Sequence, residues 1–380
     1  MIQPREVAYG TRLPENVRKT LEKLVRELEA KSDVSGVGLF GSWSRGEATS
    51  TSDIDLLILE NSNIKAEYVE RIVAGGLMVD LDHVSKKRLS TLIPPAVDQK
   101  LYEMQILYDR DWTLANMKLL MAKSYVSPER VGIRTEAHIV DSDIYLSRAT
   151  SAFSREDYCS AHLFSVVALE SVLKVLVEIV MQPFSNSHFL ERLEVSAVGL
   201  GMPGLFGEYL KVAGLEAVEV SDARGKLNLF KLMWDEMNRG VRRYPQKLES
   251  SHFTIRTGLN YYLNPAFLQG MIARTNLMIE TGRIAESLHY LRSVFLTVVE
   301  SYAWLKSSID KTRTDNTVLV RSLGSLERRN PRNFERIMDF LNLRNTEKHD
   351  AIRAIQKTRE IMLRIRKDRK VLIKNHLTKG

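Results

Sequence analysis

Cysteine is almost missing from these 380 residues: Cys159 stands alone, which excludes an intrachain disulfide and any cysteine-based zinc site. The opening residues lack the basic, apolar, small-residue order of a signal peptide, and no run approaches the ~20 apolar residues that a membrane span requires. A cytoplasmic location with no membrane partner is therefore expected. Acidic excess is missing too, since the net charge is +8, and that charge is unevenly placed. From Arg353 to Gly380 ten Lys or Arg face two acids, so the other 352 residues balance to zero. Attraction to a polyanion concentrates in this tail.

What is present is an ordinary globular composition, 44% apolar and 27% charged. At roughly 150 residues per domain the length predicts two or three domains. The most informative stretch is Val37 to Leu59, V-G-L-F-G-S-W-S-R-G-E-A-T-S-T-S-D-I-D-L-L-I-L. An apolar strand ends at Phe40, Gly41-Ser42 turns the chain, and Asp53-Ile54-Asp55 opens a second apolar strand. Strand alternation points Asp53 and Asp55 the same way while Ile54 and Leu56 face the core. Carboxylates held that close repel unless a cation sits between them, and Mg²⁺ favours one or two carboxylates plus water and phosphate oxygens. Glycine lets backbone approach a phosphate, Ser42 adds a hydroxyl and an amide, and Arg45 adds charge. Taken singly, a D-x-D is more often a solvated strand end and a Gly-Ser merely a turn; their conjunction carries the signal.

These residues resemble the DNA polymerase β-like nucleotidyltransferase superfamily, in which Gly-Ser, a spacer, then Asp-x-Asp forms the signature, and the fuller run G-S-W-S-R-G-E-A-T-S-T-S-D-I-D-L-L-I is similar to its minimal nucleotidyltransferase branch. Trp43 is bulkier than that pattern expects. The resemblance implies transfer of a nucleoside monophosphate from an NTP to an acceptor hydroxyl with release of pyrophosphate. It implies two Mg²⁺ ions held by Asp53, Asp55 and a third carboxylate, with Gly41, Ser42 and Arg45 binding the donor's phosphates. The third carboxylate is Asp80 or Asp82, which share a face of the strand Leu77 to Val84, and the two are not separable from sequence. His83, on the opposite face, reads as a packing or surface histidine.

Around this core, a helix is expected from Pro14 to Ala30, strands at Gly36–Phe40 and Asp53–Leu59, a short helix at Ala66–Val73, a turn at Gly75-Gly76, and a last strand from Glu103 to Tyr108. The expected fold class is an α+β nucleotidyltransferase domain, a small mixed sheet with helices, over residues 1–112, followed by a large all-α region of helical bundles. That region divides into a helical domain with linker at 113–260 and a second bundle with a basic C-terminal helix at 261–380. Ile144 to Glu178 has the periodicity of two antiparallel helices joined near Ser154 to Asp157. Its sequence resembles the first hairpin of a HEPN domain, and Ala273 to Lys306 has a similar cadence.

Some HEPN proteins are ribonucleases with an Arg-x₄₋₆-His motif, and Arg344-Asn345-Thr346-Glu347-Lys348-His349 fits it. Such a pair steadies a phosphate and shuttles a proton. The same spacing recurs at Arg155/His162, Arg283/His289 and Arg369/His376, so chance explains it better. A metal-independent ribonuclease, or an RNA-binding regulator that binds nucleotide without turnover, is the alternative to a transferase. Arg364, Arg366, Lys367, Arg369 and Lys370 form the candidate polyanion surface, with RNA as its expected partner; the competing reading is a solvated helix face. Helical bundles of this kind also self-associate, which raises a homodimer. The acceptor and the choice of NTP are not legible.

Overall fold

The computed structural model describes residues 13–62, 64, 66–312, 315–324 and 331–377. The chain divides into two compact units, one comprising residues up to Tyr125 together with His252–Arg274, the other Val126–Ser251 with Thr275 onward. The divisions expected at 112 and 260 both fall inside the first unit. It runs on beyond 112, and a later segment returns to it.

The first unit holds a five-stranded sheet made of β1 (Val34–Phe40), β2 (Ile54–Glu60), β3 (Tyr68–Ala74), β4 (Leu77–Ser85) and β5 (Gln105–Asp109). The spatial order is β3-β4-β2-β1-β5. Only β2 and β4 run parallel. The sheet is therefore mixed, as expected. Helix α1 (Glu15–Glu29) buries Val17, Leu21, Leu24, Val25 and Leu28. These residues pack with Val37, Leu39, Ile54, Leu56, Val79 and Leu81 into one core. Each such side chain contributes roughly 1.5–3 kcal/mol on burial. The other sheet face carries Asp55, Leu57, Asp80 and Asp82, because side chains alternate along each strand. Short helices α2 (Gly41–Arg45), α3 (Lys86–Thr91) and α4 (Asp98–Glu103), then α5 (Thr113–Ser124), complete this part.

One expectation is overturned here. The segment expected as a helix at Ala66–Val73 is strand β3. Val69, Ile72 and Val73 fit helical spacing, but Gly75 and Gly76 at φ 56° and 78° form a two-residue turn that folds the segment back against β4. Register then sets Arg71 opposite Asp80. The last strand also starts two residues late, leaving Glu103 as the end of α4.

The second unit is helical. It opens with α6 (Pro128–Ser154), α7 (Tyr158–Ile179), α8 (Phe189–Gly199), α9 (Gly204–Ala213), α10 (Val220–Arg242) and α11 (Pro245–Glu249). Helices α12 (Phe253–Tyr262) and α13 (Pro265–Glu280) follow, residues 253–274 belonging to the first unit. The rest comprises α14 (Ile284–Asp310), α15 (Leu319–Ser322), α16 (Pro331–Phe340) and α17 (Lys348–Leu377). The predicted hairpin is present as α6 and α7. Ser127 caps α6 by accepting from the Arg130 amide at 3.2 Å, with Pro128 in the first turn, and Asp157 caps α7 by accepting from the Ser160 amide at 3.0 Å. Hydroxyls let helices approach α7 closely: Ser142 donates to Ala168 O at 2.8 Å and Thr358 to Ser165 O at 3.1 Å.

A second correction concerns α7. Among the described residues it is one helix long and apolar enough to cross a membrane by length and composition, contrary to the expectation that no run qualifies, and 78% of its most apolar window is buried inside the protein. Apolarity on all sides is what a helix at the centre of a bundle requires.

Candidate active site

Asp53 precedes β2, Asp55 is the second residue of that strand, and Asp80 pairs with Asp55 across the parallel β2–β4 register. The three carboxylates gather at one edge of one sheet face. Asp82, one pleat further along β4, lies opposite Leu57 and is ion-paired with Lys100 of α4. In space, Asp80 lies beside Asp53 and Asp55, and Asp82 is engaged by Lys100. His83 is a packing residue, stacked on Tyr68 with ring centroids 4.5 Å apart and bonded to Glu60 at 2.5 Å.

Arginines hold the carboxylates. Arg71 donates to Asp80 Oδ1 through Nε at 2.6 Å and to Asp80 Oδ2 through Nη2 at 2.5 Å, and the same Nη2 also bonds Asp53. Its side chain is 3% exposed. Tyr261 and Phe267, from the returning segment, set their rings 5.3 and 5.1 Å from its guanidinium. Tyr261 also donates its hydroxyl to Asp80 Oδ2 at 2.8 Å. On the far side of Asp53, Arg274 Nη2 donates to Oδ1 at 2.7 Å.

This charge pattern divides the three acids. Burial alone raises the Asp53 carboxyl, and the charges of Arg274 and Arg71 outweigh it, leaving Asp53 below the ordinary carboxylate value. Asp55 goes the other way: burial first, then the negative charges of Asp53 and Asp80, push it well above the ordinary value. Asp80 is raised by burial, against the opposing pull of Arg71. At Asp55, burial and the two neighbouring carboxylates outweigh the pull of Arg274 and Arg71.

Gly41 is required beside it. At φ 75° its backbone is left-handed, and an added Cβ would lie 2.3 Å from Asp55 Oδ2. Glu103, which sequence reasoning passed over, fixes this turn. It accepts from the Gly41 amide and from Arg45 Nη1, each at 2.8 Å. Glu47 takes the Arg45 Nε at 2.9 Å. The Gly41 amide and Arg45, both expected to face phosphate, are thus committed to carboxylates; the Ser42 hydroxyl has no protein hydrogen bond among the described residues.

Do these residues fit a divalent cation? Three hard carboxylates lie at one edge of the sheet, and oxygen donors of this kind are the donor chemistry of Mg²⁺. Among the described residues no three His, Cys, Asp or Glu side chains converge as a ready ligand set, and guanidinium groups engage the Asp53 and Asp80 oxygens. Asp53, Asp55 and Asp80 fit the ion in kind, with Arg71 and Arg274 in the cationic positions.

Residues 21–107 match the model of the nucleotidyltransferase domain family. Two putative protein adenylyltransferases of Methanocaldococcus jannaschii are similar, one 35% identical over 82 residues and the other 33% identical over 76. Each match covers 19% of this chain and 78% of the relative. The chain belongs to the nucleotidyltransferase family. It is a nucleotidyltransferase, with the matched region lying in the unit that carries the three aspartates. A solved nucleotidyltransferase-like protein from Exiguobacterium sibiricum aligns with 85% of this chain and 90% of its own, at 15% identity and a TM-score of 0.34.

The other sequence candidates belong to the second unit. Arg344 is bound through two nitrogens to Asp339, at 2.5 and 2.7 Å, while His349 pairs with Glu347 and Asp350. No hydrogen bond or ion pair joins Arg344 to His349 among the described residues, and both side chains are more than half exposed. Along α17, Arg366 is paired with Asp143 at 2.5 Å and Arg369 with Glu136, and Arg364, Arg366, Lys367 and Lys370 are exposed.

Arg71, Glu103, Tyr261 and Arg274 were missed from sequence.

Proposed function

We propose that the protein transfers AMP from ATP to a hydroxyl group of a protein. The observation that carries the reading is the pairing of Asp55 with Asp80 across parallel strands, with Asp53 beside them and the Gly41 turn against Asp55. In the reaction the acceptor oxygen attacks the α-phosphorus, the bond to the β-phosphate oxygen breaks, and pyrophosphate leaves. Mg²⁺ held by Asp53 and Asp55 would supply charge to stabilise the in-line displacement. Ser42 donates its hydroxyl to a donor phosphate.

Asp80 takes the proton of the acceptor hydroxyl. Its two oxygens accept from Arg71 Nε, Arg71 Nη2 and Tyr261, which uses three of about four lone pairs and leaves one on Oδ1. The upward push of burial on its carboxyl makes it a better base than a solvated aspartate.

The protein acceptor is supported by the curated relatives, whose names specify protein adenylyltransferases. The test is to incubate the protein with Mg²⁺, α-³²P-ATP and a cell extract, then divide the product. Label destroyed by protease and indifferent to nuclease supports the reading. Label destroyed by nuclease instead makes RNA the acceptor, and label in the small-molecule fraction excludes both.

A further inference from the structure

The two arginines at the aspartates are not equivalent. Arg71 is locked: it is 3% exposed, spans Asp53 and Asp80, and lies against the rings of Tyr261 and Phe267. Arg274 is 21% exposed and reaches Asp53 from the rim of the site. Its base is firmly seated. Asn264 donates its side-chain amide to Arg71 O at 3.0 Å, and at Gly270 an added Cβ would lie 2.8 Å from Met78 Sδ and 3.2 Å from Arg71 Nη1. Gly270 of helix α13 therefore lies against the side chains of Met78 and Arg71, and Arg274 lies one turn beyond that contact.

Resting on the nucleotidyltransferase reading above, we propose that Arg274 exchanges anions during turnover, neutralising Asp53 here and moving to the donor's triphosphate when a divalent cation takes Asp53. The reason is charge. A divalent ion and a guanidinium on one carboxylate repel, and the doubly charged ion is favoured by the adjoining Asp55 and Asp80. The displaced guanidinium then has a stronger anion within reach of its long side chain, and its planar fork matches phosphate oxygens in pairs. Arg71 takes no part, because leaving would strand two buried carboxylates. Arg274 thus competes with the metal before the nucleotide arrives and assists the nucleotide afterwards, so its removal has opposite effects on the two ligands.

The experiment measures binding by the full chain. Mn²⁺ alone is titrated by the electron paramagnetic resonance signal of the free ion, and a non-reactive α,β-methylene analogue of ATP with Mg²⁺ is titrated by calorimetry. Arg274→Ala is expected to bind Mn²⁺ alone roughly 3- to 10-fold more tightly and the analogue roughly 10- to 100-fold more weakly, the scale of one or two charge-assisted hydrogen bonds. Arg274→Lys keeps the charge and loses the fork. It is expected to leave Mn²⁺ affinity near wild type and weaken the analogue several-fold, and it carries the test if the alanine variant melts early. Parallel losses of both ligands in a folded variant overturn the exchange and leave Arg274 a structural prop. Unchanged analogue affinity overturns it equally. Wild-type protein that binds neither probe overturns the nucleotidyltransferase reading itself, and the exchange with it.

Discussion

The hydroxyl of Tyr261 donates to Asp80 Oδ2 at 2.8 Å, across 181 positions of sequence. This bond ties the returning α12 segment to β4 and orients a carboxylate already gripped by Arg71. Burial, followed by the negative charge of Asp80, holds the Tyr261 phenol well above its ordinary value, so it remains a donor throughout the working range. Tyr261→Phe should destabilise the protein by about 1.5–3 kcal/mol, the usual loss for a hydrogen bond to a charged group, and lower kcat of transfer with little change in KM for ATP. Urea denaturation and steady-state kinetics check both.

Arg71 is the stability counterpart. Removing it leaves the Asp53 and Asp80 carboxylates in a buried site without their shared partner, and breaking a buried pair in this way costs roughly 3–5 kcal/mol. Arg71→Leu should show that loss in urea denaturation. Arg71→Lys should recover only part of it, since one ammonium cannot reproduce the bonds from Nε and Nη2 to both Asp80 oxygens.

Asp55 predicts the opposite sign. Burial, then the charges of Asp53 and Asp80, raise its carboxyl, so its ionised form is unfavourable in the metal-free fold at neutral pH. Asp55→Asn should therefore stabilise the protein in EDTA at neutral pH by roughly 0.5–2 kcal/mol while eliminating transfer. Thermal melts against wild type in EDTA test this, and a variant less stable than wild type contradicts it.

In the helical unit the acid sensitivity should centre on Glu170. Burial raises its carboxyl, but Lys174 at 3.0 Å and His289 at 3.2 Å outweigh burial and hold it well below the ordinary value. A depressed folded value contributes stability above the unfolded carboxylate value of about 4.3, and that contribution is lost as pH falls through the folded one. Glu170→Gln should be less stable than wild type at pH 7, with the gap narrowing steadily below about pH 4. Denaturation series at several pH values give that gap directly.

These sites differ in how far they could be read from the sequence. The Gly-Ser turn, the D-x-D pair and the helical hairpin were legible because each is local: strand alternation, turn chemistry and 3.6-residue spacing all act within a few residues. Strand β3 was misread because Val69, Ile72 and Val73 satisfy both periods, and only pairing through the Gly75-Gly76 turn decides between them. Asp80 could not be separated from Asp82 because both lie on one strand face; their partners, Arg71 and Lys100, come from other elements. Tyr261 and Arg274 left no local trace. Their roles arise from chain return over some 200 residues, which periodicity does not encode.

The central claim is that Asp53 and Asp55 carry a metal-assisted transfer. Its most direct test is label transfer from α-³²P-ATP to acceptor in cell extract, comparing wild type with the folded Asp53→Asn/Asp55→Asn variant. Labelled product with release of pyrophosphate in wild type, abolished in the variant and by EDTA, is the predicted result. Labelling that survives in the variant would contradict the account, as would a wild type that binds ATP with Mg²⁺ and transfers nothing.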